Sequence, residues 1–299
     1  MKFYRVLAAV IGFSVASAPG HSALIDAGNG LVNDTTQNLT WVKDGNLWLT
    51  MASASGNPAA FTATVANNSG GWASVGDYSS QIGMMDWLAA QGFVYYLNSI
   101  NFKGFSNWRL PTTVNSLSSL GYPDGKPGNP SVSSSEMAHL FYVDLGQIAG
   151  FSLGPSPGPF VNVQSTSSNA DFYWSTQLMP YNAFLFNPTT GFQWNSFDLH
   201  GIAYIWPVRD GQAPVIPTIA QRFATLIIDL GKISETKSFI SRVKLAQNYY
   251  AVPDLQSTCA VLGSFLKSFK DEFSRPPVSA LAATVIADTV ALNVAIGCK

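Results

Sequence analysis

Few side chains in this sequence have the chemistry of a catalyst. A Ser–His–acid triad would have to recruit His139 or His200, because the third histidine, His21, lies in the first 23 residues. His139 stands beside Leu140 and Phe141 and reads as a packed or half-exposed helical residue. His200 follows "SFDL" in a loop, with no partner evident in the chain around it. H-E-x-x-H does not occur, and G-x-S-x-G occurs only as the overlapping "GFSLG" (Gly150–Gly154) and "GPSPG" (Gly154–Gly158), in a Gly- and Pro-rich stretch without the strand-then-helix pattern of a nucleophile elbow. Glycoside cleavage needs two converging carboxyl groups, yet Glu136 is the sole glutamate of residues 24–217, and Ser133 three positions earlier gives it the form of a capping box. So few histidines, with both cysteines far away at Cys259 and Cys298, also argue against a metal site. These residues favour a non-enzymatic protein; a hydrolase with an unrecognised site is the least favoured reading.

Two arginines stand out instead. Arg109 lies in "GFSNWRLPT" and Arg209 in "WPVRDG", among only five basic residues between 24 and 217. A guanidinium carries five donors in a fixed fork, suited to tying loop carbonyls or a carboxylate such as Asp210. Arg109, Arg209 and Asp210 are therefore read as scaffold, together with Trp108, Trp174 and Trp206, which fall in alternating, strand-like motifs. Trp48, Trp72 and Trp194 are flanked by Gly, Asn and Ser and are expected at the surface. A flat indole with neutral amide neighbours suits a sugar, so Tyr181, Asn182, Gln193, Trp194 and Asn195 form the candidate ligand-binding set.

The elements that must position these groups come in two kinds. Residues 24–211 read as short strands and loops with two helices, one over "MMDWLAAQGFVYYLNSI" and one after Ser133. "NAFLFNPTTGFQW" reads as a hairpin, and Pro207 marks an edge or a bulge. Residues 212–217 form a Pro-rich linker. Four helical periodicities follow over 218–299, with "RPP" (Arg275–Pro277) breaking the last two apart. Antiparallel pairing of those two helices sets Cys259 beside Cys298, which predicts a disulfide. Residues 24–217 carry 5 basic and 11 acidic side chains, whereas 218–299 carry 9 and 6. The first 23 residues, with Lys2, Arg5, an apolar stretch and "GHSA", read as a signal peptide, which places the protein in the periplasm, the envelope or the medium. No second long apolar run follows, so no membrane span is expected after its removal. Charged residues make up 11% of the chain, against about a quarter in ordinary soluble domains. A surface this poor in Lys and Arg does not support nucleic-acid binding.

Residues 24–211 resemble the Lcl C-terminal-domain family of exported bacterial proteins. The resemblance rests on "ALIDAGNGLVNDTTQNLTW", "GFSNWRLPT", "SSEMAHLFYVDLG", "GPFVNVQS", "FYWST", "NAFLFNPTTGFQ" and "AYIWPVRDG" in that order. It implies an α+β domain of the C-type-lectin-like and formylglycine-generating type, with two helices flanking a small twisted, mostly antiparallel sheet and long loops. Residues 24–217 hold no cysteine, so the cysteine chemistry of formylglycine-generating enzymes is not expected. The EPN or QPD calcium motif of sugar-binding C-type lectins is absent as well, and "WNS" (Trp194–Ser196) is a faint echo of their WND. No cofactor is therefore expected, and calcium has no motif to support it. Residues 218–299, through "LIIDLGKIS", "SFISRVKLAQ", "LGSFLKSFKDE" and "VSALAATVIAD", resemble the FIMAH-type helical module of exported bacterial proteins. The function expected from these readings is adhesion-type recognition of a glycan or other surface macromolecule. The alternative is a structural or assembly component of the bacterial envelope that meets a protein partner.

Overall fold

The computed structural model describes residues 24–79, 82–165, 171–178, 182–196, 199–273 and 279–298. The first 23 residues, read above as a signal peptide, Tyr181 and "RPP" (Arg275–Pro277) lie outside them. Among the described residues the chain is mixed α+β, with eight α-helices and two small sheets. It divides into two compact units: one holds residues 24–25 and 32–212, the other Asp26–Leu31 with Ala213–Lys299.

Five strands form the larger sheet: β1 (Leu24–Gly28), β2 (Leu31–Asp34), β3 (Leu39–Val42), β4 (Trp108–Arg109) and β8 (Val208–Asp210), in the order β1-β2-β3-β8-β4. Strand β8 is thus central, with antiparallel neighbours on both sides. Pro207 lies one residue before it, where its missing N–H interrupts no ladder, and its carbonyl accepts from Val42 N at 3.0 Å. The position is neither on an edge strand nor inside the strand. The smaller sheet is β5 (Tyr173–Leu178), β6 (Asn182–Asn187) and β7 (Phe192–Asn195), antiparallel throughout. The β6–β7 turn closes with Gly191 N on Asn187 O at 2.7 Å. Gly191 has φ +77°, and a Cβ there would strike the Phe141 and Tyr142 rings.

The first unit holds four helices rather than the two expected. Helix α1 (Leu47–Ala54) and helix α2 (Pro58–Asn67) were not legible as periodic runs. Helix α2 starts with Pro58 at its first position and Asn57 capping Ala60 N at 3.1 Å. Helix α3 (Trp87–Ser99) begins at Asp86, whose carboxylate caps Ala89 N at 2.7 Å. Helix α4 (Glu136–His139) is capped by Ser135, whose Oγ accepts from Ala138 N, and not by Ser133. It continues into a π turn, Leu140–Asp144, with Leu145 N bonded to Leu140 O at 3.0 Å. The core beneath is aromatic: Trp41, Phe141, Phe160, Tyr173, Phe186 and Trp206 are all buried.

The second unit carries α5 (Ile219–Gly231), α6 (Lys237–Ala251), α7 (Leu255–Phe273) and α8 (Ala280–Ile296). Helix α5 opens with a complete capping box: Thr218 Oγ1 accepts from Gln221 N at 3.2 Å, and Gln221 Oε1 accepts from Thr218 N at 2.8 Å. Phe223, Leu226, Phe239, Val243, Phe265, Phe269, Val285 and Leu292 pack as one core. Gly297 ends α8 in the left-handed region, and the next residue, Cys298, is disulfide-bonded to Cys259 with Cα atoms 5.4 Å apart. Ile216 N donates to Ala27 O at 2.7 Å, so the Pro-rich segment is anchored to the tip of the first hairpin. Among the described residues no helix is long and apolar enough to cross a membrane.

Candidate binding site

The two arginines brace the first unit from the sheet outward. Arg109 pairs with Val208 in register, so Asp210, two residues on, is its diagonal neighbour on the same face. The guanidinium forks onto Glu136, with Nη1 and Nη2 each 2.8 Å from a carboxylate oxygen, and it also meets Asp210 Oδ1 at 2.5 Å. Nη1 further donates to Leu110 O at 3.1 Å. Burial opposes the charge of Arg109, but the bonds to Glu136 and Asp210 outweigh that and raise its pKa. Glu136 accepts a third bond, from Thr112 N at 2.7 Å. The glutamate read as a capping-box member is instead the counterion that joins α4 to β4. Sequence spacing gave no sign of this pairing, because the partners lie 27 residues apart.

Arg209 is buried. Its Nε donates to Asn107 Oδ1 at 2.8 Å and its Nη1 to Thr40 Oγ1 and Gly211 O, both at 3.2 Å. Its guanidinium carbon stands 4.0 Å from the Phe105 ring centroid. Burial disfavours its charge and lowers its pKa, with Asp210 pulling the other way. The indoles act on backbone too. Trp108 Nε1 donates to Phe102 O, Trp174 Nε1 to Met85 O and Trp206 Nε1 to Val42 O, at 3.0, 2.8 and 2.8 Å. Trp48, expected at the surface, is fully buried and donates to Ser79 O at 3.2 Å.

His139 Nδ1 lies 2.9 Å from Asp144 Oδ2, closing the π turn. Asp144 Oδ1 and Asp34 Oδ1 are both 2.7 Å from Thr36 Oγ1, which ties α4 to the β2–β3 turn. The hydrogen bond that His139 donates to Asp144 raises the histidine's pKa against the effect of burial, with the charges of Asp144 and Asp34 adding to it. Asp34, His139 and Asp144 are the described residues grouped closely enough to hold a cation. Asp34 already receives Thr36 N, Gln37 N, Gln37 Nε2 and Trp41 Nε1, so this group reads as a hydrogen-bonded junction. His200 Nδ1 faces Asp86 Oδ2 at 3.3 Å.

The sugar-facing set proposed from sequence does not assemble as written. On β7, Trp194 is 39% exposed, but Gln193 and Asn195 are buried and point to the opposite side. Gln193 Nε2 donates inward, to Ser119 O at 2.7 Å. Asn182 is half-buried at the start of β6. What accompanies Trp194 is aromatic. Phe192 lies two residues away on the same face, its ring centroid 5.6 Å from the indole at an angle of 28°. Tyr122, itself 36% exposed, meets Phe192 at 4.9 Å. Gly121 holds Tyr122 in place, because its N–H and carbonyl bond Gln193 O and N at 2.9 and 2.7 Å. Tyr122, Phe192 and Trp194 thus form a part-exposed row along an edge strand. Trp72, 45% exposed, packs edge-on against Trp87 elsewhere in the unit.

Among the described residues, cavities adjoin this framework, three of which bear on it. One, lined by Met137, Leu140, Phe141 and Trp206, is wholly apolar and holds about 10 Å³, at the lower limit for one water and without a polar group to hold it. A wide groove of about 400 Å³ runs between α1 and Asn162–Gln164. Thr50 Oγ1 and Asn162 Nδ2 there bond Asp44, and Gln164 Nε2 bonds Asn162 O, whereas Oδ1 of Asn46, also in the lining, is buried with no hydrogen-bond partner among the described residues. The third, of about 190 Å³, lies between Thr112–Val114 and Ser133–Glu136.

The order of these segments along the chain decides the family. The sequence model of the Lcl C-terminal domain matches residues 30–209, more than half of the chain. The chain belongs to the Lcl C-terminal domain family. No curated protein and no solved structure matches it significantly. The Lcl C-terminal domain match ends inside β8, at Arg209, so α5–α8 fall outside it.

Proposed function

We propose that this protein is an exported, non-catalytic recognition protein whose lectin-like Lcl C-terminal domain binds a glycan. The observation that carries the reading is the part-exposed row Tyr122–Phe192–Trp194 on a sheet edge of a domain poor in charge. Aromatic faces stack on the C–H faces of sugar rings, and a surface of hydroxyls and amides meets the sugar hydroxyls. The ionisable groups support binding over catalysis. Glu136, the one glutamate of residues 24–217, is held by Arg109 and Thr112 and is not placed as a free general base. The FIMAH-like helical unit, which has its own core and disulfide, acts as a spacer or second contact. The test is a glycan array probed with the full chain and with Trp194→Ala, both checked by near-ultraviolet circular dichroism. Binding by the native chain that falls at least tenfold in the variant supports the reading. A silent array, with capture of a single envelope protein instead, refutes it in favour of an assembly role.

A further inference from the structure

We infer that the cavity between Thr112–Val114 and Ser133–Glu136 is a subsite for one uncharged pyranose unit, the end residue of a glycan. This rests on the glycan reading above and specifies where a chain terminus would sit. Five residues carry the argument: Gln37, Thr112, Val114, Ser133 and Glu136, all lining the cavity.

Size comes first. The cavity of about 190 Å³ equals the liquid volume of about six waters and lies below the range of drug-sized pockets. That is room for about one sugar ring. The lining then selects the chemistry. Thr112 and Ser133 are exposed residues of the lining that carry hydroxyls, each both donor and acceptor like the hydroxyls of a sugar, and Ser133 Oγ also pairs with Ser131 Oγ at 2.9 Å. Ser134 Oγ has no hydrogen-bond partner among the described residues, but with under 1 Å² of accessible surface it lies beneath the lining and does not itself meet a ligand. Gln37 Nε2 is already bonded to Asp34 Oδ2 and Glu136 O, so this side chain forms a fixed wall. Val114, 55% exposed, offers the apolar surface against which a ring's C–H face can lie.

Charge narrows the class further. Glu136 is the one ionisable residue of the lining. Its carboxylate receives three donors, two from Arg109 and one from Thr112 N. A carboxylate offers about four lone-pair positions, which leaves one to accept from a ligand hydroxyl. With its charge matched by Arg109, and with Asp210 on the same guanidinium, the site has no cation to offer an acidic sugar or a phosphate.

The cavity also connects to the aromatic row. Its wall at Val114 continues along one segment, in which Ser119 Oγ donates to Val114 O at 3.0 Å and Ser119 O accepts from Gln193 Nε2 at 2.7 Å. The same segment then reaches Gly121 and Tyr122. Cavity and row flank a single loop.

The experiment is saturation-transfer NMR and calorimetry on the full chain, with the methyl glycosides of glucose, galactose, mannose and N-acetylglucosamine, and with glucuronate. The expected result is millimolar binding of at least one neutral glycoside, with glucuronate at least tenfold weaker. Ser133→Phe, and separately Thr112→Tyr, place a ring in the cavity at exposed positions. Each should weaken that binding at least tenfold with an unchanged tryptophan-fluorescence unfolding curve. Absence of binding by all four neutral glycosides, or binding that survives both filled variants, overturns the subsite. If array binding still depends on Trp194 in that case, the glycan reading stands and this inference alone fails. A silent array with no glycoside binding removes both.

Discussion

Removing Arg109 tests whether its fork onto Glu136 holds the first unit together. The side chains of Arg109 and Glu136 are 27% and 16% exposed, between the surface and buried limits. Exposed pairs contribute about 0–1 kcal/mol, and breaking a fully buried pair costs about 3–5 kcal/mol. In Arg109→Ala, Glu136 keeps Thr112 N but loses its counterion at more than four-fifths burial. We expect a loss of about 2–3 kcal/mol, to which the bond to exposed Asp210 contributes little. Glu136→Gln keeps an acceptor for Thr112 N and should cost about 1–2 kcal/mol. The double variant should recover about 1.5 kcal/mol relative to the sum, because neither partner is then left alone. Urea unfolding of the full chain, followed by tryptophan fluorescence, is the assay. All eight tryptophans lie between Trp41 and Trp206, so the signal reports the first unit. A coupling below about 0.5 kcal/mol would show that the pair behaves as an exposed one, and the bracing argument would fail.

Three further outcomes are expected. Cys298→Ser opens a link between residues 39 apart, worth about 4 kcal/mol in the chain-entropy account; far-ultraviolet dichroism should show the helical unit destabilised while the tryptophan transition stays in place. His139 has a raised pKa in the folded chain, so its contribution is fully present below the ordinary histidine value and is lost as pH rises through the raised one. Across that window the tryptophan-detected midpoint should fall, and His139→Gln should remove that part of the pH dependence. Gly191→Ala combines a φ of +77° with a clash against Phe141 and Tyr142, and should cost at least about 2 kcal/mol by urea titration.

The parts of the fold legible in the sequence were those with a strong period. The helical patterns around Phe223, Phe239, Leu262 and Val285 became α5–α8, and "NPTTG" became the β6–β7 turn. Helices α1 and α2 were missed because their Ala, Ser and Thr residues leave no apolar stripe to read. Alternation on β7 separates Trp194 from Gln193 and Asn195 by geometry alone, so the three could never share one face. Their neighbourhood in the chain was mistaken for a common surface. Tyr122, which completes the row, comes from a loop about 70 residues earlier. Similarly, Glu136 could be read locally as a helix-start residue, while the residue it neutralises is fixed by the register of β4 against β8.

The bond between Cys259 and Cys298 also bears on how the second unit withstands proteolysis. A cut at any of the 39 peptide bonds it spans leaves both pieces covalently joined. Helix α8 would stay attached to α7 after such a nick, and shedding it would require a reductant as well as a protease.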